Sequence, residues 1–327
     1  MQRTVIGLDV GRSGVKVCVV SESGRKTLDF PSVVSPAMEL ADESTRKKVE
    51  IDTVELDGKK YFTGKSAELQ GGAGSSVGLN HDWIESAEYK VLVLSAIKRL
   101  KAEGVPGLEF PVIVIGLPAS KMADASQAKE ATLSVISAEI LVIPQPMGAY
   151  CSQFITPQGY PTQSMLPDPI TGQFKSYAII DVGQYTTDFM LMKDNQIIER
   201  CMGSCDGVYK AAERLLSLLA SKKGIQANQL IANESLRTKT IKHFGQQDIS
   251  DLVTEASAGI EDTIIRKADS LLSVEVSTLD GVLLAGGGAS LVSKALAQKW
   301  PHTILVYDPR NAIADGYCKY GLAKARK

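Results

Sequence analysis

Several features that mark other protein classes are missing from this 327-residue sequence. The five cysteines form no Cys-x-x-Cys pair and the three histidines lie far apart, so a zinc or iron site is not expected. Lysine and arginine (36) balance aspartate and glutamate (37), which excludes a bulk positive field that would hold a nucleic-acid backbone. The apolar runs, such as residues 112–117, are far shorter than the roughly 20 residues that span a bilayer, so no membrane association is expected.

A signal peptide is also not expected. The first residues run directly into an apolar strand that ends at Asp9, which leaves no room for an apolar signal core and a cleavage site. The sequence therefore predicts a cytoplasmic protein. In that compartment Cys201 and Cys205 are expected to stay reduced rather than to form a redox couple.

What is present is a regular alternation of strand and helix patterns, which predicts an α/β fold with βαβ units. Strands are predicted at 4–8, 15–20, 112–115, 139–143, 177–192 (two strands), 282–285 and 303–306, and helices at 84–103, 119–132, 207–222, 251–272, 290–299 and from 311. The glycine-rich segment 71–76 is predicted to be flexible. Four prolines within 156–174 predict an extended surface connection.

One pattern occurs twice. Residues 6–16 (IGLDVGRSGVK) and 178–188 (AIIDVGQYTTD) align, and Asp181 stands 172 positions after Asp9. In each copy a buried strand ends at an aspartate, and a glycine two residues later opens a tight turn that can point backbone N–H groups at an anion. A single turn of this kind is weak evidence, because such turns are common in hairpins. Two copies half a chain apart predict two phosphate-binding hairpins, with contacts from Gly11, Ser13, Gly14, Val15, Lys16, Gly183, Gln184, Tyr185 and Thr186.

The same repeat predicts the domain organisation. We expect a first domain at 1–155 with an insertion at 30–80, a proline-rich connection at 156–176, and a second domain at 177–327 with an insertion near 205–250.

The paired aspartates imply a metal. Asp9 and Asp181 would repel a polyphosphate unless a hard cation lay between them, so the pattern predicts Mg²⁺ held through oxygen ligands and water. Lys16 has two interpretations that the sequence leaves open. Its ammonium either contacts a phosphate or is a solvated lysine on an edge strand.

Two further segments are candidates for the site. Gly286, Gly287 and Gly288 follow a buried strand and precede a helix, where glycines allow a nucleoside to approach the backbone closely. Gln145 stands between a strand and a helix that Pro146 opens. Its amide cannot take a proton, but it can orient an attacking water molecule, which suits slow hydrolysis.

Other motifs are excluded by their spacing. Gly64-Lys65-Ser66 resembles the end of a Walker A motif, but Lys59 stands where the first glycine is required, and no dinucleotide-binding glycine pattern follows a strand. The basic residues near the C-terminus, which include Lys319, are predicted to form a solvated helix face.

Taken together, these residues resemble the superfamily of actin, sugar kinases and heat-shock chaperone ATPases. Its motifs are present in order as a first phosphate loop at 9–16, a connecting segment at 145–150, a second phosphate loop at 181–188, an adenosine loop at 286–288 and a second connecting helix around 314–316. Segments 115–118 and 253–256 extend the resemblance to the ParM-type plasmid-segregation actins, a group that includes archaeal actin-like proteins.

The resemblance implies the actin-like ATPase fold, in which two ribonuclease-H-like domains hold ATP or ADP with Mg²⁺ in a cleft. It implies that Asp9 and Asp181 organise the metal, that Gln145 positions the hydrolytic water, and that the chain polymerises head to tail into filaments when ATP is bound. The family often has glutamate where this chain has Gln145. The implied role is DNA or plasmid segregation, or a cytoskeletal one, with DNA reached through an adaptor protein. A small-molecule kinase and a nucleotide-binding scaffold that does not hydrolyse are the alternatives on the same fold.

Overall fold

The computed structural model of the chain describes residues 3–72 and 83–326. It divides into two compact units, in which Met1–Leu166 and Asn311–Lys327 form unit 1 and Pro167–Arg310 form unit 2. Most of the glycine-rich segment 71–76 lies outside the described residues.

The strands and helices follow the predicted alternation. The first part of unit 1 contains β1 (Val5–Val10), β2 (Gly14–Ser21), β3 (Gly24–Pro31), β4 (Val34–Pro36), α1 (Glu43–Val49), β5 (Thr53–Leu56), β6 (Lys59–Thr63), α2 (Gly64–Gln70), α3 (Ala87–Ala102), β7 (Val112–Leu117), α4 (Ala125–Leu133), β8 (Glu139–Pro144) and α5 (Gln145–Phe154). Unit 2 contains β9 (Tyr177–Val182), β10 (Thr186–Lys193), β11 (Gln196–Ile197), β12 (Gly203–Asp206), α6 (Tyr209–Lys223), α7 (Gln229–Thr238), β13 (Thr240–Lys242), β14 (Gln246–Asp248), α8 (Ser250–Leu272), β15 (Gly281–Ala285), α9 (Ala289–Lys299) and β16 (Thr303–Leu305). The last helix, α10 (Ala312–Ala325), belongs to unit 1.

The main sheets of the two units have the same topology. In unit 1 the strand order is β3-β2-β1-β7-β8, where β1, β2 and β3 pair antiparallel and β1, β7 and β8 pair parallel. In unit 2 the order is β11-β10-β9-β15-β16, with the same change from antiparallel to parallel pairing at the central strand, and β12 also pairs with β10. The repeated sequence pattern is thus a repeated βαβ architecture, as the sequence predicts.

The central strand of unit 1 is buried because helices cover both faces of its sheet. In unit 1, Ile6 and Leu8 of β1 lie in a core cluster with residues of α3, whereas Val5 packs with Cys318 and Leu322 of α10 on the other face. In unit 2, α6, α8 and α9 contribute to one cluster with the strands. The hairpin turns follow the carboxyl ends of the central strands β1 and β9.

Helix α10, which the sequence analysis grouped with the second domain, packs against α5 and β1 in unit 1. The two helices cross at glycines. A Cβ atom on Gly316 would lie 1.7 Å from the carbonyl oxygen of Gly148, so the backbones can approach only without side chains at this point.

Lys319 of α10 is buried, so the predicted solvated face is wrong for this residue. Its ammonium donates to the Ser152 carbonyl at 2.6 Å and lies 2.9 Å from an Asp315 carboxylate oxygen. Burial, with Arg25 nearby, lowers the pKa of the Lys319 ammonium below its usual value.

Each unit carries an insertion. In unit 1, β4, β6 and β5 form a small sheet with α1 and α2 beside it, and Asp57 and Gly58 turn the β5–β6 hairpin with φ angles of 51° and 75°. Positive φ at both positions is typical of the tight turns that suit twisted hairpins. In unit 2, α7 and the β13–β14 hairpin occupy much of the segment 222–250, for which the sequence predicted only a variable stretch.

Among the described residues no helix combines the length and apolar character that crossing a membrane requires.

Candidate functional site

The first predicted phosphate hairpin is formed by β1 and β2. Asp9 and Lys16 are cross-strand partners, and the Lys16 ammonium lies 3.1 Å from an Asp9 carboxylate oxygen. Both side chains are largely buried, with 14% and 8% of the Lys16 and Asp9 side chains exposed. Lys16 is therefore an inward-facing partner of the strand-end aspartate and not a solvated lysine.

The turn between these strands is anchored from outside the hairpin. Ser32 donates its hydroxyl to the Gly11 carbonyl and its backbone N–H to the Ser13 carbonyl. A Cβ atom on Gly11 would lie 3.0 Å from the Gly14 carbonyl oxygen and 3.2 Å from the Lys16 ammonium, so a side chain there would crowd the turn. Ser32 is buried beside the turn and holds it through these hydrogen bonds. The motif did not predict this residue, because it lies 16 residues after Lys16 in the sequence.

The second hairpin, formed by β9 and β10, has the same strand pairing as the first, but both of its paired side chains are acidic. Asp181 and Asp188 are cross-strand partners, at the positions that Asp9 and Lys16 occupy in the first hairpin. Both aspartates are buried, and Asp188 accepts hydrogen bonds from the hydroxyls of Thr186 at 2.7 Å and Ser204 at 2.6 Å. Two carboxylates on neighbouring strands favour a cation nearby.

Asp188 was not among the predicted site residues, although its place was visible in the repeat. It is aligned with Lys16, the residue that the sequence analysis did select, and its carboxylate lies in a buried polar environment. The aligned position of Lys16 was the signal that could have identified it.

The turn after Asp181 is fixed to the helices that follow. The carbonyls of Gly183, Gln184 and Tyr185 accept the backbone N–H groups of Val208, Tyr209 and Gly207 at 3.1, 2.8 and 2.8 Å, in that order. The N–H of Gly183 donates to the Thr186 carbonyl, so this amide closes the turn itself.

Side chains add to this anchoring. The Gln184 amide donates to the Asn233 side-chain oxygen of α7 at 2.8 Å, and the ring of Tyr185 stacks on that of Tyr209 with centroids 5.5 Å apart. A Cβ atom on Gly207 would lie 2.6 Å from the Gln184 carbonyl. Gly207 and Asn233 are therefore further parts of the site that sequence spacing could not reveal.

The three-glycine loop lies beside the second hairpin. Strand β15 pairs parallel with β9, and Ala285 is the partner of Asp181, so the loop begins next to that aspartate. A Cβ atom on Gly286, whose φ is 91°, would lie 2.5 Å from an Asp181 carboxylate oxygen, and one on Gly288 would lie 2.4 Å from the Val208 side chain. Gly287 faces open space. The structure therefore brings Asp181, Gly183 and the glycine loop to the carboxyl edge of one sheet, the edge where such sheets bind ligands.

Gln145 is the first residue of α5 and directly follows β8. Because β1, β7 and β8 are parallel neighbours, Gln145 lies at the same edge of the unit 1 sheet as Asp9, two strands or about 10 Å along it. The edge of each sheet thus carries its predicted site residues. Asp9 and Asp181 belong to different units, and their convergence on one ligand remains a prediction.

The cysteines near the second hairpin are free thiols. Burial, with the carboxylates of Asp206 and Asp188 nearby, raises the pKa of Cys205 to about 11, and burial also raises the pKa of Cys201. Both thiols are therefore protonated and poorly nucleophilic at neutral pH.

The comparison with protein families agrees with these features. Residues 7–148 match the family of actin like proteins, N terminal domain, and residues 179–298 match the archaeal actin homologue MreB-like C-terminal family. Each match falls within one compact unit. The chain belongs to the actin-like proteins, and the predicted actin-like ATPase fold with two domains is confirmed.

Within that class, the chain is similar in structure to ParM proteins and to an archaeal actin. A 15-stranded ParM filament from Clostridium botulinum is 21% identical with a TM-score of 0.78, covering 98% of this chain and 99% of that chain. The archaeal actin homolog Ta0583 in complex with ADP is 20% identical with a TM-score of 0.71, covering 96% and 98%. Bacillus thuringiensis ParM with ATP is 13% identical with a TM-score of 0.64, covering 100% of both chains. No curated protein is similar enough in sequence to count as a match.

Proposed function

We propose that this chain is an actin-like ATPase that binds ATP through its two phosphate hairpins and its glycine loop and assembles into filaments. The observation that carries the proposal is the duplicated hairpin, which ends each central strand in a buried aspartate, together with the glycine loop in contact with the second of them. Three solved structures of the same fold support the proposal: one is a filament, one contains ADP and one contains ATP.

In this proposal the two hairpins bind the phosphates and the glycine loop binds the nucleoside. The Lys16 ammonium contacts the Asp9 carboxylate and lies at the turn where a phosphate would approach. It can therefore contact the carboxylate and a phosphate at the same time. The amide of Gln145 orients the water that attacks the terminal phosphate. Because that amide cannot remove a proton, we expect slow turnover.

Mg²⁺ fits the donor set, which offers buried carboxylates at both strand ends. Within the described ranges no three histidine, cysteine or acidic side chains come together to bind a metal. Asp9 and Asp181 would therefore hold the ion with help from phosphate oxygens and water. When bound, the ion neutralises charge on the phosphates.

The cellular role that we infer is segregation of plasmid or other DNA, or a cytoskeletal function, in the cytoplasm. The balanced charge of the chain gives no positive field for DNA, so the cargo would be reached through a DNA-binding adaptor protein. Gln145 also supports a second candidate, a scaffold that binds ATP and does not hydrolyse it, because an amide occupies the position where the family often has a carboxylate.

The test measures assembly by light scattering and pelleting in Mg-ATP, in Mg-ADP and in ATP with EDTA. The release of phosphate is measured in the same samples. We expect assembly only with Mg-ATP, and slow phosphate release that Asp181→Asn reduces about a hundredfold or more, because charge stabilisation at the phosphates is lost. Nucleotide binding without assembly at tens of micromolar would contradict the filament function. Assembly with no phosphate release would favour the scaffold, and phosphate transfer to a panel of sugars would favour a kinase.

A further inference from the structure

An exposed turn lies within the proline-rich connection, at the start of unit 2. Its residues 168–173, here called the 168–173 turn, close with two backbone hydrogen bonds of 2.8 Å between Asp168 and Gln173 and between Gly172 and Asp168. The Asp168 carboxylate accepts the N–H groups of Ile170 and Thr171 at 2.9 and 2.8 Å. These bonds lower the pKa of Asp168, so the turn carries a stable negative charge.

The turn presents an apolar side chain to solvent. Ile170 is 91% exposed, whereas large aliphatic side chains are usually buried. The prolines at 167 and 169 and the hydrogen bonds of Asp168 restrict the turn before any partner binds. A contact made here would therefore lose little conformational entropy.

A groove of complementary character lies in unit 1, between the small sheet and α3. It has a volume of about 930 Å³, within the range of pockets that hold drug-sized ligands. Its apolar lining comes from Val54, Leu94, Ile97, Leu108, Val135 and Ile136. We call it the α3 groove.

The charged lining of the α3 groove has a small cationic excess. Five cations, Arg46, Lys47, Lys60, Lys98 and Lys101, stand against three carboxylates, Glu50, Glu55 and Glu109. Lys98 is bound to the Glu50 and Thr53 carbonyls and Lys47 pairs with Glu43. Arg46 and Lys101 are exposed and have no ion-pair partner within the described part of the chain, so they are available to an incoming anion.

We propose that the 168–173 turn of one copy of this chain docks into the α3 groove of a second copy. In this contact Ile170 lies against the apolar lining and the Asp168 carboxylate lies near Arg46 and Lys101, so apolar groups meet apolar groups and opposite charges meet. The two surfaces are different patches on different units. Such a heterologous contact repeats from copy to copy and builds an open head-to-tail polymer unless it closes into a ring. The inference rests on the proposed filament function and assigns a surface to it.

The first test compares assembly of variants that leave the proposed nucleotide site untouched. Ile170→Ser removes the apolar contact and Lys101→Glu reverses a charge of the groove. We expect each to raise the critical concentration for Mg-ATP assembly about tenfold or more. The matched control for Ile170→Ser is Phe244→Ser, because Phe244 at the tip of the β13–β14 hairpin is fully exposed. The control for Lys101→Glu is Lys65→Glu, because the side chain of this α2 lysine is 70% exposed. Both controls should assemble within twofold of the original chain, and all variants should bind Mg-ATP equally.

These experiments distinguish failure of the inferred contact from failure of the proposed filament function. If the unaltered chain binds Mg-ATP but does not assemble, the filament function fails and the contact fails with it. If the unaltered chain assembles and either Ile170→Ser or Lys101→Glu assembles equally well, the contact alone is overturned. Loss of assembly in Phe244→Ser with Ile170→Ser unaffected would place the contact at the β13–β14 hairpin.

A second measurement locates the contact directly. Chains with Ile170→Cys are mixed with chains carrying Ser137→Cys, a residue that lines the groove, and are oxidised gently during assembly. We expect a disulfide between the two introduced cysteines, identified by mass spectrometry of the linked peptides. Phe244→Cys mixed with Ser137→Cys is the control and should give no such link. The reverse pattern would overturn the proposal.

Discussion

At the scale of single residues, the site depends on how two equivalent aspartates differ in their surroundings. Asp9 faces Lys16 across the first hairpin, whereas Asp181 faces Asp188 across the second. The first pair is neutral and the second carries two acidic groups. A phosphate is therefore expected to contact the Lys16 ammonium directly at the first hairpin, whereas at the second hairpin it can be held only through the cation.

Lys16→Met tests this difference. In the absence of nucleotide we expect the free energy of unfolding to fall by about 1–3 kcal/mol, because the largely buried Asp9 carboxylate loses its charged partner. The dissociation constant for Mg-ATP should rise roughly tenfold to a hundredfold if the ammonium also contacts a phosphate. Denaturant unfolding and calorimetry measure the two effects, with Lys65→Met as the exposed-lysine control. A loss of stability with unchanged affinity would assign Lys16 to Asp9 alone.

The residues of the site were predictable to the extent that they lie in the repeat. The repeat located Asp9 and Asp181 at strand ends, and the three successive glycines after a buried strand located the glycine loop, where the structure has them. It could not locate Ser32 or Asn233, because their contacts with the turns depend on how distant segments pack and leave no local spacing in the sequence.

At the scale of secondary structure, the close crossing of α5 and α10 makes a sharp prediction. Gly316→Ala should lower the free energy of unfolding by about 3 kcal/mol or more, since its Cβ atom would overlap the Gly148 carbonyl and force the helices apart. Gly259→Ala is the matched helical control, because no atom lies within 4 Å of its Cβ position in α8. It should raise stability by about 0.5–1 kcal/mol. If urea unfolding gave the same change in the free energy of unfolding for Gly316→Ala and Gly259→Ala, the tight crossing of α5 and α10 would be contradicted.

Elements were predicted where their pattern is strong. The helix predicted at 84–103 is α3, which begins after Ser86, whose hydroxyl accepts the Tyr89 N–H. The helix predicted at 119–132 begins instead as a 3-10 helix at Ala119–Asp124 and becomes α-helical only at Ala125. The short helix α7 and the polar β13–β14 hairpin were missed because neither has a long apolar period. Which sheet α10 covers was also beyond prediction, because periodicity identifies a buried face and not its partner.

At the scale of the whole molecule, the proposal requires one ligand to stabilise both units. With Mg-ATP at about 100 times its dissociation constant, binding stabilises the folded chain by about 2.7 kcal/mol. Hydrogen exchange should then slow in β1–β2 of unit 1 and in β9–β10 of unit 2, and EDTA should reverse both effects. Protection confined to unit 2 would show that the nucleotide binds at the glycine loop without the first hairpin.

The position of α10 has a consequence for synthesis of the chain. Unit 2 is one uninterrupted stretch, Pro167–Arg310, whereas unit 1 needs Asn311–Lys327 as well as the first part of the sequence. During translation, one face of the β1–β7 sheet lacks its covering helix until Asn311–Lys327 have been made, and by then all of unit 2 has been made. Unit 1 thus begins before unit 2 and is completed after it, and one apolar face of its sheet stays exposed in the meantime.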